Sequence, residues 1–182
     1  MTEFKKRFIM KKVFLSVVLG LCVAASSAFA EVSLNAGVGS FAKQSVTVAG
    51  FGIGGQTVTD SNILVGIATN FEGASIKDTN LSTGSKAVNL SAATMYQISV
   101  DFKLGYAPTE KIAIYGIGSF MGQGVGSNMG SGFGYGGGIS YDVASWLRLA
   151  AEYKAYNMSM VAATANVKYD YTQTMGCLEF KF

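Results

Sequence analysis

The chain is 182 residues long, carries 14 basic and 11 acidic residues, and contains no histidine. Without histidine, most nucleophile–base pairs and many metal sites cannot be built, so we expect no catalytic site, no cofactor and no metal. The 23 glycines and single proline disfavour long amphipathic helices, and the length predicts one domain.

Residues 1–30 have the pattern of a secretory signal peptide. An apolar run over 13–25 follows five basic residues, namely Lys5, Lys6, Arg7, Lys11 and Lys12. The run is too short for a transmembrane helix, which needs ~20 apolar residues. The small residues Ala28 and Ala30 form a cleavage site, and a start at Met10 would leave the signal complete. We therefore predict cleavage after Ala30 and a mature domain over 31–182.

Cleavage changes the charge of the protein. Removing five bases and Glu3 leaves nine basic and ten acidic residues, a net charge of −1, so the charge gives no reason to expect a nucleic-acid partner. Cys177 is then the one remaining cysteine, and no intramolecular disulfide can form.

The first three predicted strands are residues 32–40, 45–55 and 62–71, where apolar residues alternate with small or polar ones. Lys43 and Gln44 mark a tight turn, and residues 56–61 mark another. The segments 50–55 and 132–137 both match G-x-G-x-x-G. Because no helix pattern follows either one, we interpret them as strand glycines rather than phosphate loops.

Residues 72–94 are polar and rich in Ser, Thr, Asn and Gly, which predicts the longest surface loop. The fourth strand, 95–106, alternates most regularly, and residues 107–110 form a turn around the proline. A fifth strand is predicted over 111–122, but both of its faces are apolar. Residues 123–129 predict a glycine-rich loop.

The last three predicted strands lie in 130–156 and 168–182. A turn at 142–145 separates the sixth from the seventh, and a loop at 158–167 precedes the eighth. In the eighth strand Leu178, Phe180 and Phe182 share an apolar face, and the opposite face is polar. The chain therefore closes on an aromatic residue.

Eight such strands behind a signal peptide predict an all-β, antiparallel, up-and-down transmembrane barrel with apolar side chains facing lipid. Closure satisfies every backbone donor, and no mature segment is long enough to cross as a helix. A soluble β-sandwich is the alternative. The mature chain resembles the small OmpA/OmpX-type outer-membrane barrels, also called opacity or porin-like, most closely over 132–156 and 175–182.

The resemblance implies a monomer in the bacterial outer membrane, in contact with its lipids and lipopolysaccharide. Leu178, Phe180 and Phe182 would form the C-terminal signature that the barrel-assembly machinery reads. The loop 72–94 is long enough to bind an extracellular ligand. Barrel enzymes of the outer membrane resemble the chain in size but use histidine, so we expect no enzymatic activity.

The polar faces of the predicted strands point into the barrel. Their charged members are Asp101, Lys103, Asp142, Arg148, Glu152, Lys154, Glu179 and Lys181. Four acids and four bases can neutralise one another, and eight strands leave room that side chains fill. We interpret them as a packed polar plug, with a selectivity ring or proton path as the alternative. Cys177 also points inward as an inert thiol, and Trp146 is expected to anchor a turn at the membrane interface.

Two functions follow from these patterns. The first is a structural barrel that serves envelope integrity, adhesion or binding through its loops. The second is a narrow porin-like channel for small solutes.

Overall fold

The computed structural model describes residues 30–83, 86–161 and 166–182 and places ten β-strands in them. They are β1 (Glu31–Phe41), β2 (Gln44–Val58), β3 (Ile63–Ile76), β4 (Thr79–Thr83), β5 (Lys86–Leu90), β6 (Ala93–Tyr106), β7 (Ile112–Val125), β8 (Asn128–Ala144), β9 (Leu147–Val161) and β10 (Asn166–Lys181). Within these ranges no helix is long and apolar enough to cross a membrane. The predicted signal peptide, including Ala28, lies outside the described residues except for Ala30.

Eight of the strands form one closed antiparallel ring in the order β1-β2-β3-β6-β7-β8-β9-β10, and β4 pairs only with β5. β1 closes the ring against β10, from Glu31 opposite Lys181 to Phe41 opposite Tyr171. The N–H of Phe182 donates to the carbonyl of Ala30 at 3.0 Å, so β1 starts where β10 ends. We call this rim the terminal end and the opposite rim the hairpin end. The predicted eight-stranded up-and-down barrel is confirmed.

Tight turns join several of the strands at the hairpin end. Ala42 and Lys43 link β1 to β2 with φ angles of 48° and 67°, the left-handed conformation of a two-residue hairpin turn. Gly126, with a φ of 56°, begins an equally short turn between β7 and β8. The loop predicted over 123–129 is therefore wrong, because the two strands continue almost to the turn.

The surface loop predicted over 72–94 is also wrong. β3 continues to Ile76 and β6 begins at Ala93, and a hairpin of β4 and β5 fills most of the space between them. Leu81, Val88 and Leu90 form one buried face of this hairpin, whereas Asn80 and Asn89 are exposed on the other. The hairpin therefore lies with its apolar face on the mouth of the barrel and covers it.

Hydrogen bonds hold the base of the hairpin to the neighbouring turn. The side-chain oxygen of Gln44 accepts from the N–H of Lys77 at 3.3 Å, and its nitrogen donates to the carbonyl of Asp78 at 3.3 Å. The carboxylate of Asp78 accepts from the N–H of Ala92 at 2.6 Å. These bonds tie the two sides of the connection together where it leaves the barrel.

The outer surface carries a band of exposed apolar side chains next to the terminal end. On β6 the band extends from Tyr96 to Tyr106, and on β8 it extends from Phe133 to Val143. Tilted strands need ~9–11 residues to cross a bilayer, so the band has the height of a membrane. Phe51 and Phe71 stack within it at 5.3 Å between ring centroids.

Nearer the hairpin end the polarity of the strands inverts. Small polar side chains face outward there, namely Ser40, Ser45, Thr47, Ser75, Thr94, Ser131 and Asn157. Apolar side chains face inward, among them Phe41, Val46, Val48, Ile76 and Met158. The barrel is thus built for lipid along one part of its length and for water along the other.

This inversion explains where the predicted strand ends differ from the structure. The strands were predicted only where the outer face is apolar. Near the hairpin end, β3, β9 and β10 continue with polar residues on that face. The loop predicted over 158–167 is consequently shorter, because β9 reaches Val161 and β10 starts at Asn166. The faces of β7, which the sequence left open, are resolved: Ile114 is exposed, whereas Tyr115 and Ile117 are buried.

Inward glycines make room for two buried tyrosines. A Cβ at Gly134 would lie 2.3 Å from the ring of Tyr156, and a Cβ at Gly138 would lie 2.8 Å from the ring of Tyr115. In both cases the tyrosine is the direct cross-strand partner of the glycine. Gly134 in the second G-x-G-x-x-G segment and Gly138 just after it therefore serve packing, as the strand-glycine interpretation expects.

Candidate functional site: the barrel lumen

The charged residues predicted to face inward lie in the lumen at the level of the apolar band. Six are buried, namely Asp101, Lys103, Arg148, Glu152, Lys154 and Glu179. Asp142 and Lys181 are about one-fifth exposed at the terminal rim, with side-chain exposures of 23% and 21%. The structure brings all eight into one connected series of ion pairs.

Arg148 organises the part of the series nearest the terminal end. Its guanidinium lies 2.6 Å from Asp142, 2.8 Å from Glu31 and 3.4 Å from Glu179. Lys181 pairs with Asp142 at 2.8 Å on the rim side. Since Arg148 is on β9, Glu31 on β1 and Glu179 on β10, this group also spans the seam that closes the barrel.

Two lysines carry the series across the lumen. Lys103 on β6 lies 2.7 Å from Glu152 and 3.3 Å from Glu179, and its ammonium sits 5.0 Å from the ring centroid of Tyr115. Lys154 on β9 lies 2.6 Å from Asp101 and 3.2 Å from Glu152. Because β6 and β9 are not neighbours in the ring, these pairs cross-link opposing parts of the wall.

Neutral polar side chains complete the coordination of Asp101. Its two carboxylate oxygens accept from the hydroxyl of Ser119 at 2.5 Å and from the amide of Asn70 at 2.9 Å. Asn70 in turn accepts from the amide of Asn35 at 3.1 Å. A buried charge pair is stable when its remaining lone pairs and protons are satisfied in this way.

Two lumen carboxylates were missed by the sequence reasoning. Glu31 and Glu72 are both buried and face inward. Glu31 has the parity of the inward face of β1, so extending that strand by one residue would have found it. Glu72 was assigned to the predicted loop; it has the inward parity of β3 once that strand is continued past Phe71.

Above the ion pairs the lumen is filled with apolar side chains. Five methionines are buried there, namely Met95, Met121, Met158, Met160 and Met175. They belong to one cluster with Phe41, Tyr156, Tyr171 and the buried face of the β4–β5 hairpin. Tyr171 lies between Phe41 and Tyr156, with ring centroids at 6.5 and 6.0 Å. A dense apolar layer therefore closes the hairpin end.

A small cavity lies among the ion pairs. It has a volume of about 20 Å³ and lies near the terminal end, with Glu31, Asn35, Lys103 and Glu179 in its lining. A cavity needs roughly 10–15 Å³ to hold one water molecule, so this cavity suits one or a few waters but no solute. A smaller apolar cluster, which includes Leu64, Tyr115 and Ile117, also lies inside this half of the barrel.

The remaining residues singled out from the sequence lie on or near the wall. Leu178 and Phe182 are exposed on the outer face, and Phe180 stacks with Trp146 at 6.4 Å between centroids. Trp146 is itself exposed at the turn between β8 and β9, as an interfacial anchor would be. Cys177 is a free, buried thiol that faces inward.

These features define a class: an eight-stranded barrel with an apolar outer band, an ionic lumen and a closed mouth. No family model matches the chain, and no curated protein matches its sequence. Among solved structures, the Neisserial surface protein A is similar at a TM-score of 0.56 and 12% identity, covering 85% of this chain and 96% of that one.

Two other solved structures show the same kind of likeness. The N-terminal β-barrel domain of Pseudomonas aeruginosa OprF has a TM-score of 0.49 at 11% identity, covering 85% of this chain and 97% of that one. Ail of Yersinia pestis has 0.48 at 11%, covering 85% and 98%. The closed eight-stranded ring and the likeness to the Neisserial protein show the fold of the small outer-membrane β-barrels, the class that the sequence resembles.

Proposed function

We propose that the protein is a structural β-barrel of the bacterial outer membrane with a closed lumen. Its outward apolar band has the height of a bilayer. The charged side chains at the level of the band lie inside the barrel, where ion pairs connect eight of them with Glu31. The signal peptide over 1–30 would export the chain, with cleavage between Ala30 and Glu31. The terminal end would then face the periplasm and the hairpin end the outside.

The observation that carries the proposal is the obstruction of the lumen at two levels. Ion pairs between β6 and β9 cross it at the level of the band, where Lys154 and Asp101 are fully buried. The methionine and tyrosine layer and the hairpin block it again farther along. A solute would have to pass both.

The proposed role is structural: the barrel would serve the integrity of the envelope and present a small external surface. Outer-membrane lipids and lipopolysaccharide would surround the band, and Leu178, Phe180 and Phe182 would be read by the barrel-assembly machinery. Asn80, Ser82 and Asn89 on the exposed face of the hairpin form the surface that an extracellular ligand would meet. We propose a monomer without enzymatic activity.

Conductance across a planar bilayer tests this function against the narrow channel. The mature chain, refolded and inserted, should give no conductance steps above the lipid baseline, because neither obstruction leaves a water column. A general porin measured in the same apparatus serves as the positive control. Stable, reproducible steps from the unmodified chain would contradict the closed lumen and favour the channel.

A further inference from the structure

Glu72 differs from the other lumen carboxylates in its surroundings. It is only 6% exposed, and the one side-chain hydrogen bond that it accepts from the described residues comes from the amide of Gln173 at 3.3 Å. Glu31, Asp101, Asp142, Glu152 and Glu179 each pair with a lysine or arginine, whereas no cationic side chain of the described residues lies within 4.0 Å of Glu72. A buried carboxylate without a counter-charge is strongly unfavourable.

The count of charges in the whole lumen also leaves Glu72 without a counter-charge. Among the described inward residues the acids are Glu31, Glu72, Asp101, Asp142, Glu152 and Glu179. The bases are Lys103, Arg148, Lys154 and Lys181. Six acids and four bases leave two excess negative charges. All four bases contact the other five acids, so Glu72 is the carboxylate that has no basic partner.

Two residues next to this carboxylate have side-chain oxygens without partners. The side-chain oxygens of Gln97 and Gln173 are buried and accept no hydrogen bond, and the two residues are only 5% and 1% exposed. Gln173 contacts Glu72 directly, and Gln97 is the cross-strand partner of Glu72 on β6. Gln97 also donates to the hydroxyl of Tyr171 at 2.9 Å, which holds its amide in the lumen beside Gln173 on β10.

Neither a proton nor a water molecule would supply both the missing positive charge and the missing contacts to oxygen. A proton on Glu72 satisfies one acceptor oxygen, and a water supplies two donors but no charge. Another unpartnered buried atom, the amide nitrogen of Gln123, belongs to the cross-strand partner of Gln97; it is a donor and supplies no counter-charge. A small cation supplies the charge and accepts several oxygen ligands at once.

We propose that Glu72, Gln97 and Gln173 form a binding site for one alkali cation. The donors are all oxygen, which selects hard cations over the transition metals that prefer nitrogen and sulfur. The site has one carboxylate and two neutral amides, so a single positive charge balances it, whereas calcium sites draw on more ligands and more carboxylates. Among the described residues no three His, Cys, Asp or Glu side chains gather as a metal site.

The inward row that holds Glu72 leads toward the cavity at the terminal end. The cavity of about 20 Å³ reaches Asn35 on β1, whose side-chain oxygen also lacks a partner. Only Gly50 on β2 lies between Asn35 and Glu72 in the same inward row. A Cβ at Gly50 would lie 2.9 Å from Cγ of Glu72, so the glutamate side chain leans over this glycine.

The test is the thermal unfolding midpoint of the refolded mature chain in detergent, followed by the fluorescence of Trp146, the only tryptophan. Sodium chloride is compared with N-methylglucamine chloride at equal ionic strength. Above the dissociation constant, each tenfold rise in sodium should raise the midpoint by about 3–6 °C, because ligand binding stabilises the folded state logarithmically. The organic cation, which cannot enter the lumen, should give no such rise.

Variants separate the site from general salt effects. Glu72→Gln should remove the sodium response and unfold at a higher midpoint than the parent in N-methylglucamine. The same change at the exposed Glu110 is the matched control and should keep the full response. If Glu72→Gln fails to fold, Gln173→Met serves instead and should weaken the apparent sodium affinity roughly tenfold, the effect of losing ~1.4 kcal/mol.

Two results would overturn the proposal. If the parent midpoint depends on pH but not on sodium, Glu72 holds a proton and no metal ion. If parent and Glu72→Gln respond equally to sodium, the effect is general screening. Neither result bears on the closed lumen, which the conductance measurement tests independently.

Discussion

At the scale of single residues, the direction of a side chain decides whether a charge can be tolerated. Leu149 on β9 faces outward within the apolar band, and Arg148 beside it faces into the ion pairs. The two differ by one position and lie in opposite environments. A substitution therefore has to be judged by parity along the strand.

Leu149→Arg should lower the free energy of unfolding in lipid vesicles by ~2–4 kcal/mol, the cost of an arginine on the lipid face near the bilayer midplane. Urea titration followed by tryptophan fluorescence measures it. Asn157→Arg, on the same strand and the same face but beyond the band, is the control and should change stability by ~1 kcal/mol or less. Equal stabilities for the two variants would mean that the band is placed wrongly.

At the scale of elements, the β4–β5 hairpin is the part that differs most from the sequence-based expectation. Its exposed face is polar, and its covered face depends on Leu81, Val88 and Leu90. Local opening of the hairpin should thus be controlled by that apolar contact.

Leu81→Asp should detach the hairpin and speed its cleavage by trypsin at Lys77 or Lys86. Losing the burial of one leucine, worth ~1.5–3 kcal/mol, raises the open population roughly ten- to hundredfold. Ser82→Asp, on the exposed face, should leave the cleavage rate unchanged. On intact cells the cleavage of the Leu81 variant should occur without permeabilisation; cleavage only after permeabilisation would reverse the proposed orientation.

The sequence was sufficient for the barrel and for much of its lumen. Alternation in 95–106 and 130–156 placed Lys103, Arg148, Glu152 and Lys154 on the inner face, where the structure has them. It failed where the outside of the barrel meets water, since polar residues such as Ser75 and Thr94 then occupy the face that was assumed to be apolar. Which charges pair, and that Glu72 has no partner, depends on distances across the ring that no local pattern contains.

At the scale of the whole molecule, the ion pairs connect strands that lie far apart in the sequence. Glu31 and Arg148 belong to the first and the ninth strand, and Glu179 belongs to the tenth. Formation of this group requires the ring to be closed. The lumen charges thus add to the stability of the closed barrel rather than to that of any single hairpin.

Arg148→Ala should destabilise the barrel by ~3–5 kcal/mol, because it leaves Glu31, Asp142 and Glu179 with less compensation in a buried site. It should leave the conductance at the parent baseline, because the methionine and tyrosine layer still closes the hairpin end. Lys181→Ala, which removes a cation from the partly exposed rim, is the control and should cost ~1 kcal/mol or less. A parent-like midpoint for the Arg148 variant in urea would show that the pairs contribute little.

The inversion of polarity along the barrel also sets the bilayer thickness that the apolar band matches. Next to Tyr96 and Phe133 the outward positions turn polar with Thr94 and Ser131, and Met129 and Val161 are the exposed apolar residues beyond them. A thicker bilayer would cover these hydroxyls with acyl chains, and a thinner one would leave the aromatic rings in water; each ångström of such mismatch costs a fraction of a kcal/mol. The barrel consequently favours lipids of one chain length, and in a membrane of uneven thickness it would collect where the bilayer matches its band.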